Sequence, residues 1–253
     1  MNCILICIFN QDKYVEMSLL LLESILLHGC LQDNTDILIY TSTEFMNMIK
    51  NDNLFSEKIK FEINDTYDTI DKACKSRYDI FNFSCIDNYD KILYLDTDIL
   101  IRDDINKVFD ICNEELLYVV EEGNIDSDTM YWGKNLFEEE VNDYEDKSAF
   151  NSGILLFKNC QAIKELFYVV QKSFIDRQDK NTVVFDQPYI IYYAFKHNIF
   201  NNKILNSLAV NNDYNFNSDK VIHHFPGGPG YYVRKLEVMK SFLKSLNDNK
   251  TQN

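Results

Sequence analysis

Short apolar runs, each closed by polar residues, alternate along the chain with stretches in which apolar side chains return every third or fourth position. The first run, residues 3–9, leads through the turn N-Q-D-K into helical spacing over 14–28, which Gly29 ends. A second run covers 36–40, Thr43 opens a short helix, a third run covers 59–63, and 69–83 has helical spacing. Residues 92–96, I-L-Y-L-D, are apolar until they stop at a carboxylate, the pattern of a strand buried on both faces. Another strand is predicted over 116–120, followed by a polar stretch, 123–147, whose lack of period predicts a long loop with a helical piece. Strand pattern returns over 150–157. Helices are predicted over 160–175 and 185–196, short strands over 203–206 and 220–224, and an amphipathic helix over 233–246. With no repeat, linker or compositional break, this order predicts one α/β/α domain around a mostly parallel, mixed sheet.

The run 92–96 matters most, because open α/β sheets bind ligands at the carboxyl ends of their strands. Asp96 and Asp98 flank Thr97 there, and two carboxylates on a rigid strand end suit a hard divalent cation. Asp is abundant enough that D-x-D spacing alone says little, and a second copy, Asp126 and Asp128, lies in the polar stretch. Only the first copy terminates an apolar strand. Asp103 and Asp104 are expected to cap the helix running to Asp110. These features mark off a first half, 1–110, ending with the D-x-D and its following helix, a second half, 111–232, and a C-terminal helix and tail, 233–253.

The net charge of −15 argues against a nucleic-acid or anionic-membrane partner, and means that a phosphate ligand needs a metal ion beside it. Seven cysteines without a C-x-x-C pair read as buried thiols in a reducing compartment. The start M-N-C-I-L-I-C lacks a charged n-region, and no apolar run approaches the ~20 residues that span a bilayer. A soluble cytoplasmic protein without a membrane span is therefore expected.

Four segments, in order, carry a resemblance: S-R-Y-D-I-F with Y-D-K-I-L-Y-L-D-T-D, then F-N-S-G-I-L-L-F, F-D-Q-P, and V-I-H-H-F-P-G-G. With the N-terminal strand and loop they cover residues 3–230, and together they resemble the retaining glycosyltransferases of family 8, the glycogenin and lipopolysaccharide galactosyltransferase type with the GT-A fold. The resemblance implies that Asp96, Asp98 and His224 bind Mn²⁺, with Mg²⁺ as the alternative, beside the diphosphate of a UDP-sugar, most simply UDP-glucose or UDP-galactose. His223 competes with His224, since strand alternation sends the two to opposite faces; H-x-x-G spacing to Gly227 favours His224. Phe9, Asn10 and Tyr14 are expected at uracil and ribose, Tyr14 by stacking. Arg77, Thr97, Asn151 and Ser152 are expected at the donor's sugar and phosphates, with Gly227 and Gly230 in the glycine-rich loop. Asp186 and Gln187 are expected nearest the anomeric carbon, where Gln187 helps hold the developing charge during same-face attack. Gly230 stands where the family has a lysine on the β-phosphate; backbone N–H groups of the P-G-G-P-G loop, Arg234 or Lys235 are the substitutes. The implied activity is hexose transfer to a glycan or protein hydroxyl, with a homodimer expected from the family. The alternatives are a nucleotide-sugar-binding protein with little turnover and a haloacid-dehalogenase-type phosphatase. The small turn such a phosphatase carries after its acids is replaced here by Ile99-Leu100.

Overall fold

The N-terminal apolar run forms β1 (Asn2–Ile8), the strand around which the parallel part of the sheet is built. The computed structural model describes residues 1–176, 186–211, 214, 216–227 and 232–250. After β1 come α1 (Asp12–His28), β2 (Thr35–Thr41), α2 (Thr43–Lys50), β3 (Ile59–Ile63) and α3 (Ile70–Lys75). Next are β4 (Lys91–Leu95), β5 (Ile99–Ile101), α4 (Asn106–Asp110), β6 (Leu117–Asn124), α5 (Lys134–Phe137) and β7 (Ser148–Lys158). The chain closes with α6 (Gln161–Asp176), α7 (Gln187–His197), β8 (Phe200–Asn201), β9 (Ala209–Asn211), β10 (Ile222–His224) and α8 (Tyr232–Lys250).

Among the described residues, seven strands form one sheet in the order β3-β2-β1-β4-β7-β6-β8, in which only β7 runs against the rest. Both faces are covered, as a parallel sheet requires. Side chains alternate accordingly. Ile4, Ile6 and Ile8 of β1 face Val15, Leu22 and Ile25 of α1 and the apolar side of α4, while Cys3 and Leu5 face the opposite cluster containing α6 and α7. A smaller sheet, β5-β10-β9, pairs β10 antiparallel to β5 and parallel to β9. Met239, Phe242 and Leu243 of α8 pack there with Met17 of α1 and Leu100 of β5. Among the described residues no helix is long and apolar enough to cross a membrane.

Three sequence expectations are corrected. The helical stretch 69–83 breaks after Lys75 into a 3-10 turn, Ser76–Asn82. Ser76 Oγ donates to Ala73 O at 2.6 Å and Arg77 Nε to Cys74 O at 3.2 Å, so side chains take carbonyls that the α-helix would have used. The strand expected over 203–206 is a 3-10 turn, Ile204–Ser207, because Asn201 Oδ1 accepts the N–H groups of Lys203 and Ile204, both at 3.0 Å. The strand comes later, as β9. Finally, β5 has no counterpart in the sequence pattern: three apolar residues directly after D-T-D are too few to register as a strand until β10 pairs with them.

Candidate metal and donor site

β4 ends at Leu95, so Asp96 sits just beyond the sheet, tied by its N–H to Gly153 O of β7 at 2.9 Å. The Tyr94 hydroxyl donates to Asp96 Oδ1, and Arg77 Nη2 lies 3.3 Å from the same oxygen. Oδ2 is left facing the space beside Gly153. A methyl built on Gly153 would stand 2.7 Å from His224 Cε1, 2.8 Å from Asp96 Oδ2 and 2.9 Å from Asn151 Oδ1. Gly153→Ala is therefore expected to keep the fold but push all three tips aside, weakening the affinity for a divalent cation, with Mn²⁺ as the probe, by about 10-fold or more. Titration of free Mn²⁺ by electron paramagnetic resonance checks it, and wild-type affinity would refute it.

His224 ends β10 opposite Ile99, which brings its ring over Asp98. Asp96, Asp98 and His224 each offer a ligand atom within 4.8 Å of the others. The hydrogen bonds around them give the cluster a sign. His224 Nδ1 lies 2.9 Å from Asn211 Oδ1, an acceptor, so Nδ1 carries a proton, and in the tautomer with that proton alone Nε2 presents a lone pair. That nitrogen is 3.3 Å from Asp98 Oδ1, a buried oxygen with no hydrogen-bond donor among the described residues. Two electron pairs facing each other across a buried gap, with a second carboxylate alongside, fit a divalent cation with a mixed O/N shell. The other oxygen of Asp98 is taken by Lys235 Nζ at 2.5 Å, and Lys235 also donates to Gly227 O at 3.1 Å. His223 points away, its Nε2 at 3.0 Å from Lys220 O and its ring on Phe242.

A second cluster adjoins the first through Arg77, whose side chain is 7% exposed. Its guanidinium donates to Ser152 O and Cys74 O, and lies 3.4 Å from Asp186 Oδ2 as well as beside Asp96. Asp186 holds the N-cap position of α7 without capping it; its carboxylate turns inward to accept from the Tyr78 hydroxyl at 2.8 Å. Burial raises the pKa of Asp186, and Arg77 and Tyr78 offset this only in part. Gln187, half-exposed, accepts from Ser152 N–H at 3.1 Å and donates to Tyr131 O at 3.2 Å. Asn151 is pinned at both ends, Oδ1 by Gly153 N–H at 2.7 Å and Nδ2 by Glu122 Oε2 at 2.9 Å.

Of the residues expected at uracil and ribose, Tyr14 on the first turn of α1 lies by the acids. Burial raises its pKa, and the charges of Cys74, Asp98 and Asp96 add to the shift. Asn10, at φ 75°, makes the turn out of β1. The ring of Phe9 is core, packed edge-on against Tyr40 and Tyr67. Thr97 and Ser152 are buried beside the carboxylates, and Gly227 is exposed. Gly230 lies outside the described residues. Arg234 stays over the Tyr214 ring, at 5.6 Å. The second D-x-D is a surface feature, with Asp126 and Asp128 paired to Lys134. Ile105, not an acid, holds the N-cap of α4; Asp104 just before it accepts Asn106 N–H at 2.9 Å. Unforeseen were Tyr78, Tyr94, Asn211 and Glu122, which hold the expected residues in place. Tyr94 alone had a signal, two positions before Asp96 on the same face of the strand.

A profile described as Glycosyl transferase family 8 matches residues 25–218. The galactosyltransferase LgtC, solved with donor and acceptor sugar analogues, superposes with a TM-score of 0.63 at 14% identity, over 95% of this chain and 96% of that one. The WbbM bifunctional glycosyltransferase gives 0.62 at 15% identity over 97% of this chain; the chain spans about half, 51%, of its length. Mouse xyloside xylosyltransferase 1 gives 0.60 at 14% identity, over 91% of this chain and 99% of that one. A search of curated protein sequences returned no match. The shared architecture is the GT-A fold.

Proposed function

The chain belongs to glycosyl transferase family 8 and is a glycosyltransferase; from that premise we propose that it moves a hexose from a UDP-sugar to a hydroxyl acceptor with retention, using Mn²⁺. One observation supports the metal above the others: the donorless Asp98 Oδ1 facing the Nε2 lone pair of His224, with Asp96 alongside. Bound by those three residues, Mn²⁺ supplies Lewis-acid stabilisation for the departing UDP.

The chain's own side chains do the rest. Tyr14 and Asn10 border the nucleotide at the end of β1, as open α/β sheets favour. Lys235, rather than Arg234, stands in for the family lysine, since its ammonium already reaches Asp98 and Gly227 O from α8. Asn151 and Asp186 fix the sugar hydroxyls, each held by two neighbours that limit its movement. Gln187 lies beside the reacting carbon, its amide oriented by Ser152 and Tyr131 O. UDP-glucose or UDP-galactose is the expected donor, a glycan or a protein hydroxyl the acceptor, and a homodimer the working assembly.

Thermal unfolding with Mn²⁺ plus UDP, against ADP and GDP, tests the donor class. At about a hundredfold above Kd, UDP should add ~2.7 kcal/mol to the folded state. Equal shifts with all three nucleotides, or none, would sink the UDP reading. Stabilisation without sugar release across a panel of UDP-sugars would mark a binding protein instead.

A further inference from the structure

We propose that Glu122, on β6, is a positioning residue that sets the metal-binding tautomer of His224 through Asn211, while the same carboxylate oxygen holds Asn151. The inference rests on the metal-site reading above. Glu122 Oε2 accepts from Asn211 Nδ2 and Asn151 Nδ2, each at 2.9 Å. An ionised carboxylate only accepts, so both amides must turn their NH₂ groups toward it. Asn211 then presents Oδ1 to His224 Nδ1 at 2.9 Å, which places the imidazole proton on Nδ1. Nε2 is thereby left with its lone pair toward Asp98 Oδ1. A charge that never touches the metal thus decides whether His224 can be a ligand, as the outer partners of metal-bound histidines generally do.

Removing that charge has a defined consequence. Asn211 can rotate its amide and offer NH₂ to Nδ1; the proton then belongs on Nε2, which donates to Asp98 Oδ1. The donorless oxygen is satisfied and the ligand is lost. Glu122→Leu should therefore weaken Mn²⁺ binding by about 10–100-fold. Glu122→Gln should restore it, because one amide oxygen can accept both asparagine bonds.

The test has two readouts. Two-dimensional ¹⁵N–¹H spectra of histidine-labelled, metal-free protein report the tautomer of His224, assigned by comparison with His224→Gln, and paramagnetic resonance of free Mn²⁺ reports affinity. Nδ1–H in the wild type and Glu122→Gln, with Nε2–H and weakened binding in Glu122→Leu, supports the relay. An unchanged tautomer in Glu122→Leu, or wild-type affinity despite a changed one, overturns it. A wild-type protein that binds no Mn²⁺ overturns the metal reading alone, since the metal-free tautomers still decide the relay.

Discussion

Asp98→Asn should abolish metal-dependent sugar transfer, with turnover falling by about a thousandfold or more. A Lewis acid on the departing diphosphate is worth several kcal/mol, and each ~1.4 kcal/mol is tenfold in rate. The substitution keeps the shape of the side chain but removes the charge that one oxygen offers the metal and the other offers Lys235. Stability should fall as well. Burial pushes the Asp98 carboxyl up, but the Lys235 ammonium on one of its oxygens outweighs it and holds the group well below its ordinary range. A depressed folded pKa contributes stability above the unfolded value, near 3.9, and loses it as pH falls toward the folded one. Wild type and Asp98→Asn should therefore differ by about 3–5 kcal/mol in urea unfolding at pH 7, a gap that starts to narrow only below about pH 4 and closes as pH falls through the depressed folded value. Adding Lys235→Met removes the stranded ammonium, so the double variant should regain stability without activity. Release of UDP by a well-folded Asp98→Asn at the wild-type rate would remove Asp98 from the metal site.

How much of this was legible beforehand depended on whether a residue's role is local. Asp96 was readable because a strand that is apolar up to a carboxylate says where the chain leaves the sheet. His224 was separable from His223 because adjacent strand residues face opposite ways, and β10 obeys the rule, with His223 on Phe242 and His224 on Asp98. Phe9 lies just past the end of β1, and its ring packs on Tyr40 and Tyr67, a core contact that its position alone did not reveal. Glu122 and Asn211 carried no signal, and Lys235 stood only as one of several substitutes for the family lysine. Their partners lie 29, 13 and 137 positions away in sequence, and only the docking of β6, β9 and α8 brings them in. The 3-10 turn that delivers Arg77 is equally invisible in the pattern, because it depends on which carbonyl the Ser76 hydroxyl finds. Buried hydrogen-bond networks specify a site without following a sequence period.

Arg77→Met is expected to cost more stability than any change in the apolar surroundings of the site. The guanidinium joins Ser152 O of β7, Asp96 at the end of β4 and Asp186 at the head of α7, and stacks 4.5 Å over the Tyr94 ring. Burial alone would lower its pKa; Asp186 and Asp96 reverse this and lock the charge in place. Methionine fills the volume but leaves two carboxylates facing each other without a cation, a loss of about 3–5 kcal/mol. For a chain of this length that lowers Tm by roughly 10 °C. Arg77→Lys should rescue only part, because a point charge cannot span three elements. Adding Asp186→Asn to Arg77→Met should recover more, since the neutral amide needs no counter-ion and its oxygen can still accept from Tyr78. Melting followed by circular dichroism separates the cases. An Arg77→Met protein that melts with the wild type would mean that Asp96 and Asp186 are held apart by something other than this charge, and the link between the metal ligands and α7 would have to be sought elsewhere.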